Sequence, residues 1–154
     1  MKKVISLSMV LVLCMAVEVA NADFIFGEPS KLPQSVNVPG YTSGAPSISA
    51  DGLSLFFTSD MPGQYGNYDL WVTKRAAIGE DWSVPINLGP TVNSSATELY
   101  PDISSDGLLL FFQDGHPAWP EMPLLPGGCG LGDLWVTKRE KLEPIPKPNV
   151  KLFY

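Results

Sequence analysis

The stretch PSISADGLSLFF, Pro46–Phe57, returns as PDISSDGLLLFF, Pro101–Phe112, at an offset of 55 residues. DLWVTKR at Asp69–Arg75 returns at Asp133–Arg139, an offset of 64. The second copy is therefore nine residues longer between these landmarks, within QDGHPAWPEMPLLPGGCGLG, Gln113–Gly132. A weaker echo lies upstream. WSVPINLGPTVN, Trp82–Asn93, matches FGEPSKLPQSVN, Phe26–Asn37, in its aromatic, its Pro, its Leu and its Val-Asn at an offset of 56. Several matches in one order at one spacing define a repeat unit, and two units span Phe26–Arg139.

A period above fifty residues with turn signals inside it points to the blades of a propeller. Each unit offers four short strands. SIS (Ser47–Ser49) is the first and LSLFFTS the second, joined by a tight turn at ADG. DLWVTKR is the third, and the WSVPINL type is the fourth. Gly52 and Gly107 supply the positive φ that such a turn demands, and Asp51 and Asp106 supply its side-chain acceptor. In LSLFF, Leu53, Leu55 and Phe57 face one way and Phe56 the other. LLLFF adds Leu109 and Phe111 to that other face. Leu70 and Val72 alternate with Trp71 and Thr73 in the same manner. Strands apolar on both faces are expected to be covered on both faces.

The unit PxISxDGxxLFF…DLWVTKR resembles the WD-repeat-like β-propeller repeat of secreted bacterial proteins, the TolB type. It is closer still to cell-envelope repeats of the pattern ExxPxISxDGxxLxF. Glu98, Pro101, Ile103, Ser104, Asp106, Gly107, Leu110 and Phe112 fit that pattern. The resemblance implies an all-β chain, an incomplete β-propeller of two four-stranded antiparallel blades, with repeats at about 26–80 and 82–139. It departs from the family in its long second insertion and in its blade number, since propellers close with roughly four to eight blades. Self-association to complete the propeller is one expected resolution; a truncated propeller fragment without independent activity is another.

The ends and the charge restrict the setting. MKK followed by VISLSMVLVLCMAV and the small-x-small signature Ala20-Asn21-Ala22 read as a signal peptide over residues 1–22, cleaved after Ala22. The expected location is therefore secreted or periplasmic, with no membrane span after cleavage. The blade region runs over 23–143, and 144–154 is a Pro-rich C-terminal tail. The whole chain has 10 Lys+Arg against 16 Asp+Glu; loss of Lys2, Lys3 and Glu18 leaves 8 against 15, a net charge of −7. That disfavours nucleic acid as a partner. One cysteine remains, Cys129, so no internal disulfide can form, and an intermolecular one is the alternative to a free thiol.

Candidate chemistry is sparse. Asp51/Asp106 and Asp69/Asp133 form carboxylate pairs that invite a carbohydrate-active hydrolase reading. Each pair is one repeat position met twice, however, which favours a structural job: the turn for Asp51 and Asp106, the start of the third strand for Asp69 and Asp133. The one histidine, His116, has no nucleophile elbow to serve. Asp114, His116 and Glu121 offer three donors at a spacing no zinc signature shares, so neither metal nor cofactor is expected. The insertion with Asp114, His116, Trp119 and Glu121 is the expected binding loop, because long loops on a rigid scaffold often carry function. The expected function is a non-catalytic scaffold that binds a protein or glycan of the cell envelope.

Overall fold

The computed structural model describes residues 26–116, 118 and 120–140. The signal segment with Ala20 and Ala22, Trp119, and the tail 144–154 lie outside the described residues. Contacts divide the chain into Met1–Lys31 and Leu32–Tyr154, and all the strands belong to the second unit. No helix among the described residues is long and apolar enough to cross a membrane.

The described residues are all-β, with two antiparallel sheets. The first has four strands in the order β1 (Ser43–Ile48), β2 (Ser54–Ser59), β3 (Asp69–Lys74) and β4 (Ile86–Asn87). The second has three, β5 (Glu98–Ile103), β6 (Leu109–Asp114) and β7 (Leu134–Lys138). The expectation of four strands in each sheet is therefore met only in the first. There the fourth strand comes from WSVPINL, where Val72 pairs with Ile86 and Trp71 with Asn87. After β7 the described residues end at Glu140, two residues beyond the strand.

The repeat is reproduced in fine detail. Each first hairpin carries a register shift at the same place, between Gly44 and Ser47 and between Leu99 and Asp102. Ala45 (φ 50°) and Tyr100 (φ 54°) occupy the left-handed region there, in the manner of a β-bulge that re-aims the strand. The repeated Val-Asn also has a local purpose. Asn93 accepts a hydrogen bond from Leu70 N (2.9 Å) and donates to Leu70 O (2.9 Å), so its amide extends the ladder of β3 beyond the short β4. The earlier copy, Asn37, donates to Leu32 O at 3.1 Å.

The alternation along the strands sets the packing. Phe56, Leu70 and Val72 form the back face of the first sheet. They meet Ile103, Leu110 and Phe112 from the front face of the second, with Leu88 and Val92 of the connecting segment alongside. On the front of the first sheet, Phe57 and Trp71 pack with Val36 and Met61. Each large side chain buried in this way stabilises the fold by roughly 1.5–3 kcal/mol. Between the sheets, Ser47 Oγ donates to Asp102 Oδ1 (3.3 Å) and accepts from Ile103 N (3.1 Å), joining β1 to β5.

Candidate functional site

The repeated carboxylates are built into the backbone. Asp51 Oδ1 accepts from Ser49 Oγ (2.6 Å) and Leu53 N (2.9 Å), and Ser49 Oγ in turn accepts from Ser54 N. Asp106 repeats this with Ser104 Oγ (2.6 Å) and Leu108 N (2.9 Å). The serine hydroxyl first, and then the backbone amide, holds each carboxyl below its ordinary range. The left-handed Gly52 and Gly107 (φ 70° each) close the turns, and their carbonyls accept from Arg75 Nε and Arg139 Nε. The arginine just after each third strand thus clasps the first hairpin of its own sheet. Arg75 also lies over the Trp82 ring, 4.6 Å from its centroid.

Asp69 and Asp133 brace the loop that precedes the third strand. Asp69 accepts from Tyr65 N (2.7 Å), Gly66 N (3.1 Å) and Asn87 Nδ2 (2.7 Å). Asp133 accepts from Cys129 N (2.6 Å) and Gly130 N (3.3 Å), the same two offsets.

The long insertion is anchored at its base. Asp114 lies in the interior, where Oδ1 accepts from Asp133 N (2.7 Å) and Oδ2 from Leu125 N (2.8 Å). Leu125 packs against the main core. Half-buried His116 accepts from Ala118 N at Nδ1 (3.1 Å), and its ring is tilted toward Tyr100 at 6.1 Å. Glu121 and the Cys129 thiol are exposed. No group of three acidic, His or Cys side chains suited to a metal ion occurs among the described residues. The insertion therefore places Asp114 in a structural role and leaves only Glu121 of the four expected binding residues both described and open.

Glu98, the first residue of β5, was legible only as part of the repeat pattern. Its side chain is fully enclosed. Oε1 accepts from Ser94 Oγ (2.7 Å) and Ser94 N (3.2 Å), while Oε2 and the neighbouring Thr97 Oγ1 have no partner among the described residues. Burial pushes this carboxyl up despite the two bonds from Ser94, and the Asp69 charge adds to the effect.

A cleft of about 340 Å³ lies between the two sheets. Its floor is apolar, with Phe56 and Val72 on one side and Ile103 and Leu110 on the other. Lys74 and Arg139 stand along its rim, whereas Lys138 shares the alternation of Leu134 and Val136 on the other face of β7. The volume is at the lower end of the range for ligand pockets. Two cations beside an apolar floor, in a chain with excess negative charge, give the cleft a local sign opposite to that of the whole molecule. The repeated Thr-Lys-Arg carried this signal in the sequence. It went unread because the two copies lie 64 residues apart and only the packing of the sheets brings them to one cleft.

Comparison of the chain with family models, with curated proteins and with solved structures finds no match in any of the three.

Proposed function

We propose that the chain is a secreted, non-catalytic binding scaffold whose two sheets are propeller-type blades, and that its ligand is a protein segment presenting an apolar side chain beside a carboxylate. The observation that carries this reading is the cleft between the sheets, with its apolar floor and its rim of Lys74 and Arg139. A floor of Phe56, Val72, Ile103 and Leu110 offers an aliphatic or aromatic side chain a place to leave water. It offers a glycan few hydrogen-bonding groups, so a protein ligand is favoured over a sugar. The carboxylates that invite a hydrolase reading are occupied by backbone amides and serine hydroxyls, which supports binding over acid–base chemistry.

The test is selection from a random heptapeptide library on the chain beginning at Asp23, followed by fluorescence-polarisation titration of the enriched peptides. Peptides pairing a large apolar residue with Asp or Glu are expected. The variant Lys74→Glu is expected to bind them roughly fivefold more weakly, the reversed rim charge contributing about 1 kcal/mol. Enrichment of no peptide class, or affinity indifferent to the Lys74 reversal, would overturn the reading.

A further inference from the structure

The two sheets carry the same side chains at equivalent positions and bury them to very different extents. On the back of the first sheet, Phe56, Leu70 and Val72 are 4%, 0% and 8% exposed. Their counterparts on the back of the second, Phe111, Leu134 and Val136, are 43%, 85% and 56% exposed. The first set is covered by the front of the second sheet, through Ile103, Leu110 and Phe112 with Leu88 and Val92. Among the described residues, nothing covers the second set. Soluble chains seldom leave such a contiguous apolar face in water.

The complement to that face is present at the other end of the same unit. Leu32, Val36 and Leu55 are the repeat counterparts of Leu88, Val92 and Leu110. They line a hollow of about 180 Å³ on the front of the first sheet, together with Pro46 and Phe57; Val36, Leu55 and Phe57 form its buried base, and Leu32 is open at its edge. The cleft between the sheets has the same front half, walled from behind by Phe56, Val72 and Lys74. The hollow is that front half without its rear wall. Ile48, at the position of the buried Ile103, is correspondingly exposed. In sequence, the echo of β4 at Ser30-Lys31 stands just ahead of this front half, while β7 has no fourth strand beside it among the described residues.

We infer that copies of this chain associate head to tail, the back face of one (Phe111, Leu134, Val136) seating on the front hollow of the next (Leu32, Val36, Ile48, Leu55) as the first sheet already seats on the second. The occupant is a second copy because the chain displays both halves of a junction that it makes once internally. The interface is heterologous, so repetition closes a ring or continues as a filament. This goes beyond the binding reading and does not depend on it, since the ligand cleft lies within one chain.

The experiment uses light scattering after size-exclusion chromatography on the chain beginning at Asp23, with two variants. Leu134→Glu/Val136→Glu charges the back face, and Leu32→Glu/Ile48→Glu charges the front; all four positions are exposed, so the fold should tolerate both. The unaltered chain is expected to run as an assembly of two or more copies, and each variant alone as a monomer. An equimolar mixture of the variants is expected to give a dimer of twice the monomer mass and nothing larger, because one intact front meets one intact back. That recovery also shows both variants to be folded. Three outcomes overturn the inference. One is a monomeric unaltered chain, including one that associates only after residues 141–154 are deleted, which would make that segment the cover. The second is loss of association in the back-face variant alone, which would mean a back-to-back contact. The third is a mixture that remains monomeric while both variants keep native tryptophan fluorescence. The peptide titration on the monomeric variants keeps the two proposals apart, since cleft binding should survive in each.

Discussion

Leu70 and Leu134 hold the same position in the repeat, yet Leu70 is sealed between the two sheets and Leu134 stands open to solvent. Truncating them should therefore give unequal results. Leu70→Ala is expected to cost about 2–5 kcal/mol, through lost burial and the cavity left behind. Leu134→Ala should change the stability of the monomer by about 0.5 kcal/mol or less. Urea unfolding of both variants, at a concentration where the chain is monomeric, checks the pair. Equal losses would mean that Leu134 is covered within its own chain.

Gly66 and Gly130 make a second unequal pair. Both stand three residues before the bracing aspartate, and both donate to it. A Cβ on Gly66 would lie 1.8 Å from Ala96 O and 2.9 Å from Ser94 O, where the loop lies against the lead-in to β5. A Cβ on Gly130 would meet nothing within 4 Å. Gly66→Ala is expected to destabilise by about 3 kcal/mol or more, since backbone must move to admit the methyl group. Gly130→Ala should stay within about 0.5 kcal/mol. Thermal unfolding of the two variants side by side distinguishes them.

The enclosed Glu98 gives a pH dependence of definite sign. Its folded-state carboxyl titrates above the ordinary value of 4.5, with burial as the chief cause. The stability it contributes is complete below the unfolded value and is lost as pH rises through the folded one. Glu98→Gln keeps an acceptor for Ser94 and removes the buried charge. The variant should match the unaltered chain near pH 4 and melt at a higher temperature near pH 8. A midpoint unchanged or lowered at pH 8 would contradict this account of the site.

Asp51 and Asp106 act in the opposite direction. Their folded carboxyls titrate below the ordinary 3.8, held there by Ser49 and Ser104 first and by the amides of Leu53 and Leu108 next. Their contribution is present above the unfolded value and disappears as pH falls through the folded one. The double variant Asp51→Asn/Asp106→Asn should be somewhat less stable than the unaltered chain at pH 6. It should also lose less of its stability between pH 5 and pH 2. Circular dichroism melts across that range measure the slope.

Much of the local architecture could be read from the letters alone. The Ser-x-Asp-Gly turns, the strands apolar on both faces and the repeated positions of Asp69 and Asp133 all follow from interactions within a few residues. The same composition in the same order closes the same turn wherever it occurs. The offset of 55 likewise carries the bulges at Ala45 and Tyr100 from one sheet to the other. Asp114 was less legible. As a polar residue in a Gly- and Pro-rich stretch it reads as a loop ligand, but it is enclosed because Leu125 N and Asp133 N, far along the chain, converge on it.

The sequence by itself determined that there are repeated units, where each turns, and that the second and third strands of each have two apolar faces in need of cover. It could not determine which faces find cover. Leu70 and Leu134 sit in the same heptapeptide, DLWVTKR, so no local rule can separate them. Their difference is decided by whether a neighbouring sheet is at hand, and the same is true of the cleft, whose rim is brought together from two copies of Thr-Lys-Arg. Turn chemistry is a property of adjacent residues, whereas burial is a property of what packs from outside, and only the tertiary structure supplies the second.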